Sequence, residues 1–92
     1  MEHLLVNTSL RVLDLNANEI TFKGCEAIAK YLKGENCTLE SLHLACNKVS
    51  DYGAKALAQA VAVNKSLIHI DLTYNNINDY GLTMFAQSLV YN

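Results

Sequence analysis

The sequence predicts an α/β fold made of three stacked strand-turn-helix units, and three observations carry that prediction. The pattern L-x-x-L-x-L-x-x-N-x-V at Leu39 to Val49 recurs at Leu10, Leu13, Leu15, Asn18, Ile20 and at Leu67, Ile70, Leu72, Asn75, Ile77, with steps of 29 and 28 residues. A period in that range marks a stacked repeat array. Within each copy, apolar residues alternate with polar ones as in a strand. They then recur at i, i+3, i+4, i+7 as on one face of a helix.

The chain opens with residues 1–8, which the spacing predicts to be the end of an earlier unit: Leu4 precedes Leu10 by the same six residues as Val61 precedes Leu67. In the first copy Leu13 and Leu15 alternate with Val12, Asp14 and Asn16, which places the leucines on the inner face of a short strand. Asn18, Asn47 and Asn75 follow where the chain must bend away. Their amides carry donor and acceptor atoms for backbone groups left unpaired there, so a buried ladder of asparagines is expected.

Each strand leads into a helix start, Thr21-Phe22-Lys23-Gly24, Ser50-Asp51-Tyr52-Gly53 or Asn78-Asp79-Tyr80-Gly81. Thr21, Ser50 and Asn78 are expected N-caps, with Asp51 and Asp79 facing the positive end of the helix dipole. The glycine lets the helix start approach the strand closely, where a Cβ would collide. The buried stripes are then Cys25, Ile28, Ala29, Leu32; Ala54, Leu57, Ala58, Val61; and Leu82, Phe85, Ala86, Leu89. Bulkier Leu82 and Phe85 predict that the last helix packs less like an interior one. The next strand would begin near residue 95, so the chain is expected to stop within a repeat as well as to start within one.

Composition narrows the function. Of the 92 residues 51% are hydrophobic and 17% charged, which fits a packed core rather than a disordered chain. A net charge of −2 leaves no basic stripe for nucleic acid. No apolar run is long enough to span a membrane, and no secretion signal opens the chain. Cys25, Cys37 and Cys46 are odd in number and match no zinc spacing, so they read as reduced thiols of a cytoplasmic protein, the nucleus being compatible. Asn7-Thr8-Ser9, Asn36-Cys37-Thr38 and Asn64-Lys65-Ser66 match the glycosylation tripeptide, but their common place in the repeat reads as a recurring turn. The four glycines form no phosphate loop, and no catalytic triad or paired-histidine motif can be assembled. No enzyme activity and no cofactor are expected.

The repeated frame, the small-residue helix GAKALAQAV and the 28–29 residue period together resemble the ribonuclease-inhibitor-like class of leucine-rich repeats. The resemblance implies a right-handed βα solenoid with a parallel sheet on the concave side and helices on the convex side. It implies one domain over residues 1–92, with repeats at about 9–37, 38–65 and 66–92 after the partial unit. Members of the class occur in nucleotide-binding innate-immune receptors, in the activator of the Ran GTPase, in tropomodulin-like actin regulators and in axonemal proteins. Their shared activity is protein recognition. The inhibitor's cysteine-rich pattern is missing here, so ribonuclease inhibition is not implied.

Stacked strands bring equivalent residues into columns about 4.8 Å apart. The columns are Arg11, Glu40, Ile68; Val12, Ser41, His69; Asp14, His43, Asp71; Asn16, Ala45, Thr73; and Ala17, Cys46, Tyr74. An imidazole between two carboxylates favours its charged form, which would make His43 a pH-sensitive contact or a weak metal site. The expected partner-binding residues on the concave face are Asp14, His43, Asp71, His69, Tyr74, Arg11 and Glu40, and the expected partner is another protein. Alternatives are a structural role inside a longer receptor or scaffold array, and regulation of a small GTPase through Lys23, Lys48, Asn76 or Asn78. Self-association through exposed repeat ends is a further expectation.

Overall fold

The computed structural model describes residues 10–91, the side chains of residues 86–91 excepted. Leu4, the Asn7-Thr8-Ser9 tripeptide, and the side chains of Ala86 and Leu89 therefore lie outside the described residues. The elements run β1 (Val12–Asp14), α1 (Phe22–Leu32), β2 (Ser41–His43), α2 (Ser50–Val63), β3 (His69–Asp71), α3 (Asp79–Tyr91). The three strands form one parallel sheet in chain order, with α1 packed on α2 and α2 on α3. This is an α/β solenoid. The register pairs Val12 with Ser41 and Ser41 with His69, and Asp14 with His43 and His43 with Asp71, as the repeat period predicts.

Burial follows the number of neighbours a unit has. Leu39, Leu42, Leu44 and Val49 of the middle unit are fully buried, while Leu10, Leu13, Leu15 and Ile20 before it, and Leu67, Ile70, Leu72 and Ile77 after it, are half-buried. A repeat contacts only adjacent repeats, so among the described residues only the middle one is covered on both sides. The first two helix stripes are buried as predicted. Tyr31 and Ala60, equivalent to one another, join them, a position the stripe pattern did not include.

The third stripe departs from expectation at Leu82, which is 61% exposed. Its equivalents face the following unit: a Cβ on Gly53 would lie 3.1 Å from Cys25 Sγ, and one on Gly81 would lie 3.2 Å from Ala54 Cβ. Leu82 thus points away from α2. The same two glycines have no room for a Cβ against Val49 and Ile77 in their own units, at 2.8 and 2.5 Å, which explains the glycine at that place.

The asparagines knit the units together, with one correction. Asn47 Oδ1 accepts from the backbone N–H groups of Asn18 and Ile20, both at 2.9 Å, and its Nδ2 donates to Leu15 O and Leu44 O, also at 2.9 Å. Asn75 repeats this, accepting from Val49 N at 3.2 Å and donating to Leu44 O and Leu72 O. Both are buried, whereas Asn18 is exposed and, among the described residues, its Nδ2 donates only to Asn16 O. The ladder needs a preceding bend to bind, and among the described residues Asn18 has none.

Three further links were not read from the sequence. Thr38 Oγ1 donates to Leu10 O at 2.8 Å, and Ser66 Oγ donates to Leu39 O at 2.7 Å, so the hydroxyl before each first leucine ties its unit to the one before. Buried Asn64 donates to Leu32 O at the end of α1 and accepts from Ser66 N and Leu67 N, which accounts for the tripeptide there as a turn. Two of the expected side-chain caps do not form: Thr21 precedes α1 without a cap bond, and α2 starts at Ser50 itself. Ser50 instead turns its N–H to Asn75 O of the next unit at 2.9 Å and adopts a left-handed φ of 62°. Asp51 keeps its place in the first turn and accepts from Asn78 N at 2.8 Å.

Replacing Asn47 by Ala strands buried backbone groups in two units and lowers stability by about 1–3 kcal/mol. Replacing exposed Asn18 changes it by less than about 0.5 kcal/mol. Urea denaturation of Asn47→Ala and Asn18→Ala checks this contrast; equal losses would remove the ladder from the account.

Candidate functional site

The strand face presents the predicted columns. Leu13, Leu42 and Ile70 point inward, and their neighbours in each strand point out, with Val12, Ile68, His69 and Tyr74 exposed. Tyr74 is 85% and Ile68 82% exposed, and neither contributes to the core. The first column closes on itself at Arg11 and Glu40, whose Nη1 and Oε2 atoms are 2.9 Å apart in an exposed pair of the kind that contributes about 0–1 kcal/mol.

His43 does not pair with the carboxylates beside it. A hydrogen bond of 3.0 Å joins its Nε2 to Ser41 Oγ, and its ring centroid lies 5.3 Å from that of His69. The reason lies in the carboxylates. Asp14 Oδ1 accepts from Asn16 N at 3.0 Å, and Asp71 Oδ1 accepts from Thr73 N at 3.1 Å and from Thr73 Oγ1 at 2.8 Å. Each aspartate folds back onto the backbone two residues on, a local bond that outcompetes the neighbouring strand. The backbone and hydroxyl donors of Thr73 hold the Asp71 carboxyl below the usual carboxylate range, with smaller pulls from His69 and His43. Among the described residues, no group of three His, Cys, Asp or Glu side chains is arranged to hold a metal ion.

The rim where strands turn into helices is shaped by backbone that glycine normally supplies. Ala17, Cys46 and Tyr74 share a left-handed conformation, with φ of 57°, 59° and 56°, as do Glu19 and Asn76. These turns wrap the backbone around the asparagine amides and push Tyr74 outward. No glycine marks them, so the sequence carried no local signal for them beyond the recurrent asparagine.

The three cysteines are free. Burial pushes the Cys25 thiol up to about 11, which removes its thiolate at neutral pH. Cys37 Sγ accepts from Asn64 Nδ2 and Ser66 Oγ between units, and Cys46 is exposed at the rim. Glu26, Lys30, Lys33, Lys55 and Gln59 are exposed on the helices. Among the described residues, no helix is long and apolar enough to cross a membrane.

A family model described as Leucine Rich repeat matches residues 6–29, 35–58 and 63–86. The chain is similar to human NLR family CARD domain-containing protein 3, with 43% identity over 62 residues covering 67% of this chain and 6% of that protein. It is also similar to mouse Protein NLRC3, 38% identical over 72 residues, covering 78% of this chain and 6% of that protein. A third relative is mouse NACHT, LRR and PYD domains-containing protein 14, 33% identical over 70 residues, covering 76% and 7% respectively. The chain thus spans a small part of the length of these relatives. Among solved structures, Leiomodin-1 Actin-Binding Site 2 superposes with a TM-score of 0.90 at 22% identity, covering 99% of this chain and 53% of that one, a likeness of fold.

Because its folded carboxyl titrates low, Asp71 contributes to stability fully above the unfolded carboxylate range, and that contribution is lost as pH falls through the folded value. Thr73→Val removes the hydroxyl donor and raises the Asp71 midpoint toward the ordinary value, leaving the backbone contribution. Carbon-detected NMR titration reads the shift, and an unmoved midpoint contradicts the assignment.

Proposed function

This chain belongs to the leucine-rich repeat family, and we propose that it is a non-catalytic protein-interaction module whose strand face receives a partner protein. The contact centres on His69, Asp71 and Tyr74, with His43 and Asp14 beside them and the Arg11–Glu40 pair at the edge. The observation that carries this reading is the near-complete exposure of Tyr74 and Ile68 on a face held rigid by the sheet. Large amphipathic or apolar side chains on a pre-formed surface lose little entropy on binding and supply most interface energy.

The lengths of the relatives favour a second reading alongside the first, in which the module works inside a longer receptor or scaffold array of the cytoplasm. Actin, which the leiomodin-1 fold neighbour binds, is one candidate for a partner panel.

Surface-immobilised chain is screened against such a panel, and each hit is titrated against a variant combining His69→Ala, Asp71→Ala and Tyr74→Ala. Binding weakens by about tenfold or more while circular dichroism shows the variant still folded, its melt lowered only by the loss of the Asp71–Thr73 bonds. The helix-face variant combining Glu26→Ala and Lys55→Ala binds as the parent does. Partners that ignore the first variant and are lost with the second place the site on the helices and refute this reading.

A further inference from the structure

The charge of the strand face is decided by its two imidazoles. Across residues 11–17, 40–46 and 68–74 the permanently charged side chains are the carboxylates Asp14, Glu40 and Asp71 and the guanidinium of Arg11. Glu40 and Arg11 hold one another at 2.9 Å, so Asp14 and Asp71 are left uncompensated. His43 is paired in register with both of them, and His69 stands beside it, the ring centroids 5.3 Å apart. The titratable groups that face the two rings are therefore each other, Asp14 from β1 and Asp71 from β3, with Arg11 and Glu40 near the start of the same strands. The helices pack on the opposite side of the sheet, behind Leu13, Leu42 and Ile70. With both imidazoles neutral the face keeps a net negative charge; with both protonated the charges cancel.

The two aspartates are fixed without being neutralised. Asp14 spends Oδ1 on Asn16 N, and Asp71 spends Oδ1 on the Thr73 N–H and hydroxyl, so Oδ2 of each has no protein donor among the described residues. The Thr73 donors hold the Asp71 carboxyl below the usual carboxylate range, so it keeps its charge while histidines titrate. Asp14 and Asp71 lie two strand spacings apart, about 9–10 Å. An extended polyproline-type segment, with three residues per turn and a rise of about 3.1 Å, brings side chains three residues apart to one side at about the same distance. Tyr74, 85% exposed, adds a ring face of the kind that holds a guanidinium. Exposure at that column belongs to the face and not to an end of the array, since Cys46, the equivalent residue of the middle unit, is exposed with a unit on either side.

We infer that the strand face takes an extended basic segment of its partner, with arginine or lysine groups set on Asp14 and Asp71 beside neutral His43 and His69, and releases it when those imidazoles gain protons. The inference rests on the strand face being the contact surface and names the chemistry that this surface selects. A bound cation favours neutral rings beside it, so by linkage protonation of the rings disfavours the cation. Affinity therefore falls as pH is lowered through the histidine range.

Heteronuclear NMR of the intact chain at low salt, titrated with end-blocked peptides, tests this. The basic probe is Ser-Arg-Ser-Ser-Arg-Ser, and the acidic probe carries glutamate in place of each arginine. At about pH 7.5 the basic probe is expected to shift the amides of Asp14, His43, Asp71 and Tyr74, and at about pH 5.5 to bind about tenfold more weakly. Asp14→Asn combined with Asp71→Asn keeps an oxygen for the Asn16 and Thr73 donors, so the chain stays folded while the basic probe no longer shifts the face. His43→Gln combined with His69→Gln brings the ratio of the two dissociation constants to about one. Equal binding of the basic probe at both pH values, pH dependence that survives the glutamines, binding that survives the asparagines, or no shift on the strand face overturns the inference. An acidic probe that shifts the same amides overturns it too, and leaves the strand face as the contact surface. Shifts confined to helix residues such as Glu26 and Lys55 overturn both.

Discussion

A carboxamide set into a bend of the backbone holds each unit to the one before it. Where the chain leaves the strand its peptide groups stop pointing along the sheet, and the N–H groups of Asn18 and Ile20 and the carbonyl of Leu15 lose their ladder partners. Asn47 meets all three at 2.9 Å and binds Leu44 O of its own unit as well. Aspartate could accept but not donate, and leucine could do neither, so the position demands an amide. The backbone around it is costly, since each left-handed residue such as Cys46 or Ser50 costs about 1–2 kcal/mol. Leaving several buried peptide groups unpaired at about 1–3 kcal/mol each costs more, so the strained turn persists.

That coupling divides the molecule's surfaces by the work they do. The faces between units are consumed in stability: the leucines of the middle unit are fully buried because amide, hydroxyl and glycine contacts bring a neighbour against both of its sides. The strand face contributes little to this. Its side chains are aligned by the sheet but are not needed by the core, so their chemistry is free to serve recognition. His43, His69, Asp71 and Tyr74 form such a set, in which the aspartate is committed to Thr73 and the two imidazoles lie side by side, tilted by 47°.

The fold was largely legible because a period constrains every copy at once. Pairing Val12 with Ser41 and Ser41 with His69 requires only counting, and the stripes from Cys25 to Leu32 and from Ala54 to Val61 follow from helix geometry. What the period could not supply are interactions decided by competition. Thr21 and Ser50 look like caps, but the turn takes the Ser50 N–H to Asn75 O instead. Asp14 and Asp71 flank His43 in the register, yet each accepts instead from the backbone N–H two residues on, just past the end of its strand. Leu82 fits the stripe and is exposed, because its place in the stripe, like that of Cys25 and Ala54, faces the unit that follows. Thr38 and Ser66 recur at one place, a signal that was present in the chain but was absorbed into the tripeptide reading.

The central claim, that the asparagine amides lock neighbouring units into one cooperative structure, is tested most directly by native-state hydrogen exchange at the Ile20 and Val49 amides. Both donate to an asparagine side chain of the next unit, whereas Leu44 N donates within the sheet to Asp71 O. If the amides lock the units, Ile20 and Val49 exchange as slowly as Leu44 and share its dependence on denaturant, since all three open only when the units separate. Exchange at Ile20 and Val49 as fast as at an unprotected turn amide, with Leu44 still protected, would contradict the account.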